Sequence, residues 1–267
     1  MKISRSISSS NPTPGGEYLL EMRDITKTFP GVKAVNVVRM KVRPATVHAL
    51  VGENGAGKST MMKILAGEHR PDSGEIFFDG QKVEIANTKD ALRIGISTIY
   101  QELNLVPEMT IAENLFLGME PKEKNRLFVD AGYIHEQTAK YIADVGLSYS
   151  PKTKLSQLSV SAQQMVEIAK GIHRGARLIV MDEPTSAITE VEVETLFRLI
   201  SDLKARGITF IYISHKLEEI MRISDEVTVL RDATWVTTQP TREMTQAKII
   251  SYMVGRELKH LFPKTDV

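Results

Sequence analysis

The chain has no cysteine in its 267 residues. Disulfides, thiolate nucleophiles and cysteine-held metals are therefore excluded. No charge sign dominates: 34 basic residues stand against 33 acidic ones, leaving a net charge of +1. That balance supplies no general pull toward nucleic acid or an anionic membrane surface. No uninterrupted apolar stretch approaches the roughly 18 to 20 residues that span a bilayer. The opening MKISRSISSSNPTPGGE lacks an apolar central region, so residues 1–17 read as a flexible tail and not as a secretory signal. With 42% hydrophobic and 25% charged residues, the rest has ordinary globular composition and is long enough for a large core.

The strongest positive signal is the run Gly52-Glu53-Asn54-Gly55-Ala56-Gly57-Lys58-Ser59-Thr60, which fits the phosphate-loop pattern G-x-x-x-x-G-K-[ST]. Val47–Val51 before it predicts a buried strand, and Met61–Ala66 after it predicts a helix. Glycines let the backbone curl so that several N–H groups face phosphate oxygens. The helix N-terminus adds its positive dipole end. The loop is thus expected to hold a nucleoside triphosphate, with Lys58 on the β- and γ-phosphates and the Ser59 hydroxyl on Mg²⁺.

Short apolar strands then alternate with helical patterns. Strands are predicted at Tyr18–Ile25, Ala34–Val42, Glu75–Phe78, Ile96–Ile99, Leu178–Met181, Ile208–Ile213, Val227–Leu230 and Trp235–Thr238. Helices are predicted at Thr110–Leu117, Ile134–Val145, Gln163–Arg174 and along Val193, Leu196, Phe197, Ile200 and Leu203. This order predicts an α/β fold with a mainly parallel core, and a helical insertion over about residues 106–165.

Further candidates fall at strand ends, where α/β proteins place their sites. Leu178–Met181 runs into Asp182-Glu183. There Asp182 is expected to hold Mg²⁺ and Glu183 to act as general base toward water. Adjacent acids after a strand also serve as a helix cap, and the upstream phosphate loop favours the catalytic reading. Gln101 follows the strand Ile96–Ile99 and brings a neutral amide to the metal and the lytic water. His215 follows Ile208–Ile213 and offers a donor for the γ-phosphate that also orients Glu183. In Leu158-Ser159-Val160-Ser161-Ala162-Gln163-Gln164, chemistry alone predicts a serine-capped helix start.

Taken together these motifs resemble the nucleotide-binding domain of ATP-binding cassette (ABC) transporters, a P-loop NTPase with a RecA-like core, an antiparallel β subdomain and a helical insertion. GENGAGKST is similar to the family's Walker A, YQELNL to its Q-loop and LSVSAQQ to its signature. LIVMDEPTSAIT is similar to its Walker B and D-loop, and ISHKLEEI to its H-loop. FPGVKA, QELNLVPEMTIAENLFLG, QQMVEIAK and VGREL narrow the likeness to the ATPases of bacterial simple-sugar importers. The sub-branch it looks most like imports galactose and methyl-galactoside, and the likeness is to the first of two cassettes in those chains.

The resemblance implies a nucleotide-binding domain over 18–240 and, over 241–267, a C-terminal helix and a linker toward a second cassette. It implies that Phe29 stacks on the adenine of ATP, although a buried core aromatic is an equal alternative. It also implies that Ser159 and the N–H groups near Ser161 reach ATP held by the opposite cassette, fused or in a dimer. Transmembrane permease subunits, and indirectly a periplasmic sugar-binding protein, are the implied partners. The implied place is peripheral, on the cytoplasmic face of the inner membrane, with no nucleic acid bound. A cassette that binds ATP and hydrolyses it poorly, and a soluble non-transport ABC ATPase, are the alternatives. The chain departs from the family at Ala162, where the signature carries glutamine, and at Val160 and Ser161, which replace its glycines. Thr189 stands where many D-loops carry aspartate, and Ala233 replaces a turn glycine, which predicts a strained turn.

Overall fold

The computed structural model describes residues 17–121 and 129–255. The tail up to residue 16, residues 122–128 of the insertion and the linker from 256 onward lie outside the described residues. In chain order the elements begin with β1 (Leu20–Phe29), β2 (Val32–Val42), β3 (Val47–Val51), α1 (Lys58–Leu65), β4 (Ser73–Phe78) and β5 (Gln81–Val83). There follow α2 (Thr88–Ile94), β6 (Ile96–Ile99), α3 (Ile111–Phe116), α4 (Ala131–Asp144) and α5 (Val160–His173). The remainder is β7 (Leu178–Asp182), α6 (Glu190–Ala205), β8 (Thr209–Ile213), α7 (Leu217–Ile223), β9 (Glu226–Arg231), β10 (Thr234–Pro240) and α8 (Gln246–Val254).

Among the described residues the strands form two sheets. The smaller is antiparallel, in the order β2-β1-β4-β5. The larger runs β10-β9-β3-β8-β7-β6, parallel throughout except for β10, which closes one edge as a hairpin with β9. Strand alternation divides its side chains between two cores. Leu50, Ile96, Val180, Ile211 and Ile213 pack with α1 and the small sheet. Ala49, Ile99, Met181, Phe210 and Tyr212 point the other way and pack with α5 and α6. The apolar stripe Val193, Leu196, Phe197, Ile200 and Leu203 of α6 is buried there, as its helical spacing predicted.

Between β6 and β7, α3, α4 and the start of α5 share a separate cluster around Ile111, Leu115, Ile142, Leu155 and Val166. Two helices, α2 and α7, have no counterpart among the predicted ones. Only Ala91 of α2 is buried, so α2 shows no apolar stripe. Its boundaries come from capping: the Asn87 side chain accepts from Asp90 N–H, and Gly95 ends the helix at φ 95°. The strained turn is present as expected. Asp232 and Ala233, between β9 and β10, both hold positive φ, at 48° and 61°.

Candidate functional site

The phosphate loop leaves β3 and enters α1, whose first turn begins at Lys58, ahead of the apolar run Met61–Ala66 that signalled it. Two glycines are required by geometry. A Cβ on Gly52 would stand 2.5 Å from the Leu230 carbonyl oxygen, because the loop crosses the end of β9. Gly57 caps α1 at φ 101°, and a Cβ there would meet the Ala34 carbonyl oxygen at 2.7 Å. No side chain caps α1. Its first N–H groups have no partner within the helix and are left for a ligand. The Lys58 ammonium folds across the loop and donates to the carbonyls of Gly52 (2.6 Å) and Glu53 (3.0 Å). Burial pushes its pKa down, while the charges of Glu183 and Asp182 push it back up.

Those two carboxylates stand at the end of β7. Burial, and then the neighbouring Glu183 charge, raise the Asp182 pKa, and Lys58 and Lys63 oppose the rise. Such a carboxylate gains from a nearby cation. Glu183 holds the left-handed conformation, φ 47°, and its N–H donates to the Ile213 carbonyl at 2.9 Å. That bond ties the end of β7 to the end of β8. There His215 places Nδ1 3.2 Å from the Glu183 carboxylate. Lys58, Asp182, Glu183 and His215 thus converge at the C-terminal ends of three strands that lie close together in one sheet.

Other predicted residues stand apart. Among the described residues no hydrogen bond or ion pair joins Gln101, Phe29, Ser159 or Ser161 to the Gly52–Thr60 loop. Gln101 is exposed, two residues beyond Ile99, which pairs with Met181 one residue before Asp182. Phe29, at the end of β1, is half-buried and belongs to neither core, which removes the reading of a core aromatic. His69 meets its ring edge-on at 5.1 Å, and the Lys27 ammonium lies 5.6 Å from the ring centre. The Ser159 hydroxyl caps α5 by accepting from Ala162 N–H at 3.2 Å. Ser161 is buried, beside Glu192. Thr189 does its own work: its N–H and hydroxyl both donate to Glu192 at 2.9 Å, in a capping box that starts α6.

Two polar residues that matter here went unseen in the sequence. Glu167, on α5, is buried and accepts from Asn104 N–H at 3.1 Å. Glu219, on α7, gathers several donors. The Glu218-Glu219 pair reads only as acids suited to a helix start, so its burial had no local signal.

The family model described as ABC transporter matches residues 35–186, which takes in the phosphate loop, the β6 end, the α5 start and the β7 carboxylates. The chain belongs to the ABC transporter family. A galactose/methyl galactoside import ATP-binding protein of Clostridium perfringens is 53% identical over 248 residues, 93% of this chain and 48% of the relative. A putative ribose/galactose/methyl galactoside import ATP-binding protein of Geobacillus kaustophilus is 51% identical over 94% of this chain and 50% of its own length. The chain therefore spans about half the length of the curated relatives it matches. A nucleotide-free ATP-binding cassette from an ABC transporter superposes with a TM-score of 0.75 at 26% identity, covering 89% of this chain and 95% of that one. In this ABC family member the two-sheet core and the helical insertion are those of the ABC ATPase fold. Among the described residues no helix is long and apolar enough to cross a membrane.

Proposed function

We propose that this chain is the ATP-binding and ATP-hydrolysing cassette of an importer of a simple sugar of the galactose/methyl-galactoside or ribose type. The observation that supports it most is the convergence of Lys58, Asp182, Glu183 and His215 beside a glycine loop. Residues 52–60 cradle the triphosphate, and Lys58 leaves the Gly52 and Glu53 carbonyls to pair with the β- and γ-phosphates. Glu183 takes the proton of the attacking water. His215, held against Glu183, keeps that carboxylate aimed and donates toward the γ-phosphate. Phe29 offers its partly open ring to the adenine. The donors suit Mg²⁺, a hard cation: the Ser59 hydroxyl, the Asp182 carboxylate and the Gln101 amide oxygen would hold it. When bound, the ion neutralises charge on the phosphates.

Residues 18–240 make one nucleotide-binding domain, with 106–165 as its helical insertion and 241–267 leading toward a second cassette. That cassette, fused or in a dimer, would present its Ser159 equivalent to this site. The sugar names of the relatives support transmembrane permease subunits as partners, with a sugar-binding protein beyond them, and a peripheral place on the cytoplasmic membrane face. The degenerate-cassette reading is favoured by Ala162 alone.

The test is nucleotide titration with steady-state turnover. Lys58→Ala removes the charge pairing with the phosphates and is expected to abolish most binding. Glu183→Gln is expected to bind ATP as the unaltered chain does and to turn over about 10² to 10⁴ times more slowly. Equal affinity of the unaltered chain and Lys58→Ala would overturn the site.

A further inference from the structure

Glu219 lies in the first turn of α7, yet it is only 8% exposed. An acid at such a position usually faces water and its own helix N–H groups. This one faces donors from elsewhere. Its carboxylate accepts from the Thr185 hydroxyl, 2.8 Å from either oxygen, from the Tyr212 hydroxyl at 2.9 Å and from the Ser214 hydroxyl at 3.0 Å. The Lys216 ammonium lies 3.2 Å away and also donates to the Thr185 carbonyl at 3.3 Å. Burial pushes the Glu219 carboxyl up, but the hydrogen bonds from Thr185, Tyr212, Lys216 and Ser214 outweigh it and hold the group below its ordinary range. Thr185 comes two residues after Glu183, and Ser214 immediately precedes His215. One carboxylate therefore grips both segments that carry the Glu183–His215 contact. The Glu183–Thr185 segment is also held from α5, where the buried Gln164 amide donates to the Pro184 carbonyl at 2.8 Å.

We propose that Glu219 is a positioning residue that sets the Glu183–His215 contact by tying Thr185 to Ser214. Among the described residues its hydrogen-bond and ion-pair partners are Thr185, Tyr212, Ser214 and Lys216, none of them in the loop, so it acts on the geometry of the water-activating pair and not on nucleotide affinity. The catalytic consequence rests on the ATPase reading above, whereas the geometric one does not. Glu219→Gln keeps the volume but turns an amide N–H₂ toward hydroxyls that need an acceptor. Tyr212→Phe and Ser214→Ala each delete one donor and leave the carboxylate in place.

The experiment is NMR of the whole chain with labelled histidine rings, the His215 signal being assigned by its loss in His215→Gln. In the unaltered chain, Glu183→Gln is expected to shift that signal. In a Glu219→Gln background the signal is expected to move already, and the further effect of Glu183→Gln to shrink. In parallel, kcat of Glu219→Gln is expected to fall about 10- to 100-fold, the scale of a roughly 1 Å misplacement, with ATP affinity unchanged. An equal response of His215 to Glu183→Gln with and without Glu219 overturns the proposal. Should Glu219→Gln not fold, Tyr212→Phe and Ser214→Ala decide: a His215 signal unmoved in both overturns it. If the unaltered chain neither binds nor hydrolyses ATP, the ATPase reading fails, and the NMR coupling still answers for Glu219.

Discussion

At the residue scale, the chain tolerates two costs near its candidate site. Glu183 occupies the left-handed region, a conformation that costs a side chain-bearing residue roughly 1 to 2 kcal/mol. It persists because the Glu183 N–H bond to Ile213 and the contact with His215 over-determine it. Glu167 is the second. One oxygen accepts from Asn104, the other has no partner, and burial pushes its pKa up to about 7. The Lys170 ammonium beside it is itself half-buried and bonded to the Asn104 carbonyl. Because the folded pKa lies above the ordinary value of 4.5, the folded chain holds an extra proton between the two. This residue's contribution to stability is therefore full below the ordinary pKa and is lost as the pH rises through about 7. Glu167→Gln keeps the acceptor for Asn104 and has no charge to bury. Thermal melts should show the variant matching the unaltered chain near pH 4. At pH 8 it should be more stable by about 1 to 3 kcal/mol, each worth about 2–4 °C for a chain of this size. The same offset at both pH values would refute the account.

At the element scale, the turn between β9 and β10 joins a central strand to the sheet edge with two residues, both at positive φ. A two-residue turn of this kind suits the right-handed twist of its strands but asks for glycine or asparagine. Asp232 adapts more readily than Ala233, and Ala233 is also pinned, its carbonyl accepting from Asn36 N–H at 2.7 Å and its Cα lying 3.8 Å from where a Gly57 Cβ would be. Ala233→Gly relieves the strain at some cost in unfolded-chain entropy. The expected net gain is up to about 1 kcal/mol, read as a higher denaturant midpoint at unchanged slope. The start of α5 is capped by Ser159 as its sequence predicted, and the departure at Ala162 has a packing reason. Ala162 is buried in the cluster formed by α3, α4 and α5 and not set out on the surface. A glutamine there would have to displace part of that buried cluster, so Ala162 reads first as a packing residue.

At the scale of the whole molecule, the exposed residues at the α5 start are Ser159 and Val160, the latter 48% exposed although apolar. On the proposed function, a second cassette would cover this apolar side chain beside the serine cap. The Glu183→Gln chain is expected to sediment as a monomer without nucleotide and to shift toward a dimer with Mg²⁺-ATP. Val160→Asp should block the shift and leave ATP binding intact. Ala162→Gln should not strengthen the dimer, and overpacking should lower its stability by about 1 to 3 kcal/mol. A dimer formed equally well by Val160→Asp would remove this face from the interface.

The sequence by itself determined the strand–loop–helix unit at residues 47–65, the strands that carry Asp182 and His215, and the buried stripe of α6. Each is written in a local pattern: glycines at fixed spacing, apolar runs of strand length, or a 3.6-residue period. The family resemblance, and not the sequence alone, marked the turn at Ala233, where a turn glycine is replaced and φ is positive. What only the tertiary structure decided concerns residues whose partners are distant in sequence. Glu167 and Glu219 look like surface acids until helix packing encloses them, and α2 has caps but no stripe. The 3.2 Å approach of His215 to Glu183 depends on β7 and β8 lying side by side in register, Asp182 opposite Ile213. Such contacts arise from the order of strands in the sheet, and no short stretch of sequence encodes that order.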